Sequence, residues 1–430
     1  MKNTFGILFT LVFSMMALQQ CADNKAALTI YLSPDANTVL TEQIQQAIDS
    51  VASAGGGTVL FRKGKYITGG LKLKSKVTVQ FEEGVILESS SNLSDFGDWN
   101  WTNGLIMGDS LKDIRIIGEA LLDGIDLINP EGEEGFRGPH VIRLTNCDSL
   151  VIRDITIKRS ANWAVNCRNC TNGIIENVKI RGGHDGIHTR FCKDFQIRDC
   201  DIRTGDDAFA GNDNQNFEIE NCKVNTSCNA FRFGCYNLVV KKCSIWGPGE
   251  YEHLSQHRNN TLSAFTHFSP PDEDPQLLNG KWLIQDVTID RVDQIFNYNF
   301  RDGLWQTGRP LTQITIADLK ATNLKKAFNM IGDTARSLKL DIRNSLISEQ
   351  EDSGFTEFIF EGRRVETPAF FNISMFDILE LHDVTIETNS KDPALMVKNG
   401  NKLVMENVQF LPPDNPEPLI VENVSEVENP

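Results

Sequence analysis

Three carboxylates carry the chemistry that this sequence can do. Asp185, Asp206 and Asp207 lie in the stretch GGHDGIHTRFCKDFQIRDCDIRTGDDAFAG, residues 182–211. The step from Asp185 to Asp207 is 207 − 185 = 22 residues. If 22 residues make one turn of a solenoid, these two acids are stacked neighbours with Asp206 beside them. Stacked carboxylates repel, so at least one keeps its proton near neutrality. A protonated acid beside ionised ones is what glycoside hydrolysis uses: the acid protonates the leaving oxygen and a carboxylate activates water. A surface Asp-Asp pair in a Gly-Asp-Asp turn is the plain alternative, and calcium held by the same acids is the sharpest competing use. Asp185 one turn away, with Gly183 and Gly205 just ahead of the acids, favours catalysis, and neither a metal nor another cofactor is expected.

The elements that must position these acids follow from a recurring frame. Apolar residues sit at relative positions 0, 2, 5 and 7, as in Leu150/Ile152/Ile155/Ile157, Phe195/Ile197/Cys200/Ile202, Phe217/Ile219/Cys222/Val224 and Leu238/Val240/Cys243/Ile245. Frame starts at 150, 173, 195, 217 and 238 give steps of 23, 22, 22 and 21. Later frames begin at Trp282, Leu379 and Leu403. Each frame reads as two short strands joined by a bend, apolar side inward. One unit cannot bury its inner face, so the units must stack. The expected fold is all-β, a right-handed parallel β-helix. A helix over Gln43–Ala54, capped by Thr41 and ended by Gly55–Gly57, would close its first coil, since an open end must be covered. Strands are expected over Thr58–Phe61 and Val77–Phe81. One catalytic solenoid domain is expected over 28–411, followed by an exposed Pro- and Glu-rich tail, 412–430. Between Trp246 and Lys281 the frame breaks, which predicts an irregular coil or a long loop beside the site. Loops around 90–105 and 247–281 are the candidates to close one end of a groove.

The same period sorts the neighbours of the acids. Trp163, Asp185, Asp207 and Asn229 are successive equivalents; Val165, Ile187, Phe209 and Phe231 form an inward stack; Asn166, His188, Ala210 and Arg232 point outward. Asp185 and Asp207 have inward parity, so a bend must turn them out. Ala164, Gly186, Ala208 and Ala230 read as an outward strip of small side chains that leaves room for a sugar ring. Candidate substrate-binding residues are His184, His188, Arg190, Asn229, Arg232, Arg258 and His267. Trp163 reads as core, whereas Trp246 and Tyr251 read as platforms for a sugar face. Nine of the ten cysteines lie between Cys147 and Cys243. Cys200/Cys222/Cys243 and Cys147/Cys170/Cys192 each share a slot, which favours buried free thiols over disulfides, although adjacent coils roughly 4.8 Å apart leave a bridge possible. Cys167 and Cys170 form a CxxC without the second pair a zinc site needs.

The chain has 430 residues and a formal charge of −16, with no basic tract, so nucleic acid is not an expected partner. The N-terminus starts with Lys2 and an apolar run from Phe5 to Leu18, the length of an export signal and short for a membrane span. A signal segment over 1–21 predicts an exported protein, periplasmic or anchored in an outer membrane through lipid on Cys21; plain secretion is the alternative. The expected partner is a polysaccharide or oligosaccharide, and the expected state a monomer.

The DGI and GDD-A elements, with 21 residues from Asp185 to Asp206, resemble glycoside hydrolase family 28, the polygalacturonases and rhamnogalacturonan hydrolases. TEQIQQAIDSVASAGGGTVLFRKGKYITGGLKLKS resembles that family's N-terminal cap, and SANWAVNC, residues 160–167, the segment before its site. The resemblance covers roughly residues 38–245; the later coils share only the period. It implies a right-handed parallel β-helix and an inverting hydrolysis of pectic polysaccharides, with Asp206 as general acid and Asp185 and Asp207 activating water. Three motifs depart from the family. Its Asn-Thr-Asp is Gly183-His184-Asp185 here, its Gly-His-Gly is Cys228-Asn229-Ala230, and its Arg-Ile-Lys falls in Thr261–Ser269, which has no Arg or Lys. Rhamnogalacturonan-type members also lack the histidine. A polysaccharide lyase using Arg232 or Arg190 as base beside bound calcium, and a glycan-binding β-helix without activity, are the competing function classes.

Overall fold

The computed structural model describes residues 27–97, 103–271, 280–333, 338–350, 357–360, 363–366, 368–389 and 393–428. The export segment with Cys21, and parts of the two candidate end-closing loops (98–102 and 272–279), lie outside the described residues. Among the described residues thirty-three strands join one continuous sheet in which successive coils pair in parallel, with a separate antiparallel pair at Glu357–Phe360 and Arg363–Glu366. The coil is a right-handed parallel β-helix, the hand that parallel crossovers take.

The helix α1 (Thr41–Ser53) covers the first coil. Ile44, Ala47, Ile48 and Val51, the apolar stripe read from the sequence, are its buried residues. It starts two residues earlier than expected. Thr41 is already helical, and its hydroxyl accepts the Gly69 N–H at 2.7 Å instead of capping its own helix. The expected strands appear at Gly57–Phe61 and Val77–Phe81.

The frame holds because position 4 turns the chain. Asp154, Asn177, Asp199, Asn221, Asp286, Asp383 and Asn407 each follow their frame start by four residues and have φ between 51° and 62°. Asp and Asn tolerate this left-handed conformation better than other side chains. They also bond from coil to coil: Asn177 Nδ2 donates to Asp154 Oδ1 at 2.8 Å, and Asn407 Nδ2 to Asp383 Oδ1 at 3.0 Å.

The site face is built from β1 (His140–Thr145), β2 (Val165–Arg168), β3 (Ile187–Arg190), β4 (Phe209–Glu220), β5 (Asn229–Lys241), β6 (Ser263–His267), β7 (Gln294–Asn299), β8 (Phe328–Ile331), β9 (Phe371–Glu387) and β10 (Leu395–Glu406). Register pairs Val165, Ile187, Phe209, Phe231, Phe265, Phe296, Phe328 and Phe371 in one inward column. Phe209 and Phe231 stack at 4.7 Å, and Phe231 and Phe265 at 5.1 Å. The interruption after Trp246 is a full coil: β6 continues the column, and the long connection 247–262 lies before it. Among the described residues nine cysteines are free and buried, and six of them occupy the two slots the period predicts. Residues 419–428, read from the sequence as part of an exposed tail, instead pair in parallel with β10 and add an end strand, although their side chains stay mostly exposed.

Candidate active site

Asp185 and Asp207 stand two residues before β3 and β4, in the bend that enters the site face. Coil stacking continues through this bend: Ala164 N–H donates to Asp185 O at 2.9 Å, Gly186 N–H to Asp207 O at 2.9 Å, and Ala208 N–H to Asn229 O at 3.0 Å. The bend reverses parity, as the sequence required. It also reverses the following residues, and here the expectation of an outward strip fails. Ala164, Ala208 and Ala230 are fully buried. A Cβ on Gly186 would lie 2.5 Å from Ala208 O and 2.7 Å from Ile202 Cγ2. The small residues let the bend stack; they do not clear space for a sugar.

One oxygen from each of Asp185, Asp206 and Asp207 lies within 4.8 Å of the others. Their surroundings differ. Asp207, 3% exposed, accepts at Oδ1 from Asn229 Nδ2 at 2.8 Å and Asn229 N–H at 3.1 Å, while Oδ2 faces Arg232 Nη1 at 3.7 Å. Burial, then the Asp206 charge, pushes its carboxyl up to about 6, with Arg232 acting against them. Asp185, 6% exposed, meets His188 Nδ1 at 2.8 Å. Burial and the Asp206 charge raise its carboxyl well above the usual range. Burial, reinforced by Arg232 and Arg190 and opposed by Asp207, lowers His188 to about 3, so a neutral imidazole faces Asp185. The His188 ring is held flat on Trp163, centroids 3.5 Å apart and planes 2° from parallel. Trp163 is therefore not core: it lines the cleft and orients the partner of Asp185.

Asp206 is the most open of the three, at 17% exposure. Arg137 Nη2 lies 3.4 Å from Oδ2 and His253 Nε2 3.5 Å from Oδ1. His253 Nδ1 accepts the Gln256 N–H at 3.3 Å, which leaves the proton on Nε2, facing the acid. Burial alone would raise Asp206, but His253, Arg137 and Arg232 outweigh it and hold the carboxyl well below the usual range. In the free site negative charge is favoured on Asp206, whereas burial favours the protonated form of Asp185 and Asp207.

The cleft measures about 900 Å³. Six arginines line it, Arg137, Arg143, Arg168, Arg190, Arg232 and Arg258, in a chain whose net charge is −16. Arg232 lies over Phe268 at 4.2 Å and Trp305 at 5.2 Å. Arg258 braces the 247–262 connection, donating to Gln256 Oε1 at 2.8 Å and to the carbonyls of Ser227 and Asn260. Ser255 Oγ donates to Glu134 Oε1 at 2.9 Å, tying that connection to the 124–139 connection along one wall.

Of the expected substrate-binding residues, His188, Arg190, Asn229, Arg232 and Arg258 line the cleft, and His184 and His267 do not. His267 pairs with Phe233, two residues past Phe231, so its parity is inward. Its Nε2 donates to Arg309 O at 2.6 Å, and burial lowers it to about 4. His184 is buried behind the acids, its ring 5.7 Å from Phe136, and burial with the Arg137 charge lowers it to about 4. Trp246 and Tyr251 also stay outside the cleft, where Trp305 and Trp163 supply the aromatic faces. The sequence reading missed Arg137 and His253, which come from connections outside the repeat. A usable signal existed: both connections enter at the bend that carries the acids.

Among the described residues, three carboxylate-containing groups have donor atoms close enough for a cation: Asp185, Asp206 and Asp207; Asp206, Cys228 and His253; and Asp341, Glu380 and His382. A protein cation lies beside each. Arg137 and Arg232 serve the first, Arg258 Nη2 lies 3.5 Å from Cys228 Sγ in the second, and Arg343 and Lys339 bridge Asp341 and Glu380 in the third.

Residues 58–229, which include all three acids and Asn229, match the family described as glycosyl hydrolases family 28. Over that stretch, which is less than half of the chain, the sequence is similar to that family. Its fold resembles a hyperthermoactive exopolygalacturonase from Thermotoga maritima, at 16% identity and TM-score 0.61, over 75% of this chain and 87% of the other. It also resembles a family 28 exopolygalacturonase from Yersinia enterocolitica, at 14% identity and TM-score 0.51, over 94% and 79%. The tailspike protein of E. coli bacteriophage HK620, solved in complex with a pentasaccharide, shares the fold at 11% identity and TM-score 0.53, over 92% and 76%. At these identities the likeness is one of fold. No curated protein matches the chain by sequence.

Proposed function

We propose that the protein is a glycoside hydrolase that cleaves a bond beside an acidic sugar in pectic or related plant polysaccharides, of galacturonan or rhamnogalacturonan type. The carrying observation is the set of three acids on adjacent coils in a cleft walled by arginines. The family 28 match over residues 58–229 supports the reaction class, and the guanidinium groups suit a substrate carboxylate.

Asp206 is the general acid. It is the acid open to the cleft; a substrate carboxylate that takes up Arg137 and Arg232 removes the charges that keep it ionised, so it takes a proton from its neighbours and leaves them ionised as bases. Its proton goes to the glycosidic oxygen as the bond to the anomeric carbon breaks. Asp207 and Asp185 accept a proton from water, whose oxygen forms the new bond. Burial, with Oδ1 of Asp207 held by Asn229 and Oδ2 of Asp185 by His188, favours taking a proton from water over attack on the anomeric carbon. This supports inversion, although one oxygen from each acid lies within 4.8 Å, closer than the roughly 6.5–9.5 Å usual for inverting pairs.

The test is release of reducing ends from homogalacturonan and rhamnogalacturonan oligosaccharides. Asp206→Asn should lower it by about 10²–10⁴-fold with the fold intact. Unsaturated products would mark a lyase, and binding without turnover a glycan-binding protein. The apolar Phe5–Leu18 run before Cys21 supports export, with a lipid anchor at Cys21. Incorporation of labelled fatty acid that Cys21→Ser abolishes is the expected result, and unchanged labelling would refute the anchor.

A further inference from the structure

We infer that the C-terminal coils carry a second glycan site, specific for neutral, hydroxyl-rich sugar and distinct from the arginine-walled cleft. The outward column that supplies His188 and Arg232 does not stop there. Register continues it through Thr266, Asn297, Asn329 and Asn372 to Met396. Beyond Thr266 its character changes from charged to amide. These residues floor a groove of about 560 Å³.

The connection 300–309 separates the groove from the cleft. Gln306, 2% exposed, ties it down: Oε1 accepts the Asn299 N–H at 2.6 Å, and Nε2 donates to Thr266 Oγ1 at 3.1 Å. Leu304 lines both depressions, one on each side of this ridge. The two sites are therefore adjacent along one strand column and rigidly spaced.

The chemistry of the groove suits an uncharged ring. Asn372 Nδ2 donates to Asn329 Oδ1 at 2.9 Å, which orients both amides. The side-chain amide of Asn297 and the Asn329 NH₂ group make no hydrogen bond among the described residues, though Asn297 is only 3% exposed and Asn329 2%. Amides offer donor and acceptor together, the complement of a vicinal diol. Met375 and Met396 supply apolar surface for the C–H face of a ring. The two basic residues of the lining are compensated: Lys398 Nζ lies 3.0 Å from Glu422, and Arg301 Nη2 3.6 Å from Asp302. An acidic sugar finds no spare cation here, in contrast to the cleft.

The test uses calorimetric titration of the full-length protein with neutral probes, β-1,4-linked galactotetraose and α-1,5-linked arabinotetraose. Saturable binding of at least one is expected. Asn372→Ala and, as an independent steric block, Ser374→Trp should each weaken it at least tenfold. Turnover of an acidic oligosaccharide too short to cross the ridge should stay within twofold. Asp206→Asn should leave neutral binding unchanged, which separates this site from the catalytic one. No binding of either probe, binding unaffected by both groove variants, or binding lost with Asp206→Asn would overturn the inference.

Discussion

Asp207 couples fold and reaction. Its folded carboxyl sits at about 6, against an ordinary 3.8. The native state therefore binds the proton more tightly, and the stability this contributes is complete below pH ~3.8 and lost as pH rises through about 6. The difference of about 2 units corresponds to roughly 3 kcal/mol. Asp207→Asn keeps the acceptor for Asn229 and removes the charge. It should raise the thermal midpoint at pH 7, leave it nearly unchanged at pH 3.5, and reduce turnover by at least about 10²-fold. Melting curves at both pH values check the sign. His253→Ala should move the lower apparent pKa of kcat/KM upward, because the acids titrate as a coupled set and Asp206 would lose its donor; an unmoved limb would detach His253 from the set. Much of this site was legible in the text. The 22-residue step found the acids, Asn229 and Arg232, while simple alternation misplaced His267, which is inward once the column is counted through Phe233. Arg137 and His253 obey no period, so counting could not reach them.

At the scale of elements, the bend carrying the acids depends on what is missing from its side chains. Gly186→Ala would drive a Cβ against the Ala208 carbonyl and Ile202. The expected cost is about 1–3 kcal/mol, as for an overpacked core. Because the bend also aims Asp185, activity should fall by more than the stability loss explains; comparing the folded fraction with kcat separates the two. The strands themselves were easily read, since each repeat buries apolar residues at 0, 2, 5 and 7. The Asp and Asn residues at position 4 were an unused signal of the same kind. The small strip was misread because a bend that turns Asp207 outward must turn Ala208 inward. The broken frame after Trp246 concealed a regular coil, as β6 occupies only five residues between two long connections.

At the scale of the molecule, a chain of charge −16 concentrates arginine in one cleft. An acidic glycan is then repelled by the surface and drawn in by the site. Added salt should weaken the local attraction, as the screening length shrinks from ~10 Å at 0.1 M to ~3 Å at 1 M. KM for an acidic oligosaccharide should rise over that range, with kcat changing less, as steady-state rates at fixed pH would show. The amide groove predicts neutral-probe binding that does not follow this trend. The central claim is that Asp206 donates a proton while buried Asp185 and Asp207 activate water. The most direct measurement is the anomeric configuration of the first product, followed by proton NMR during turnover of a defined pectic oligosaccharide. The account predicts the inverted anomer, with the reducing end appearing before mutarotation. A retained configuration or an unsaturated sugar end would contradict it.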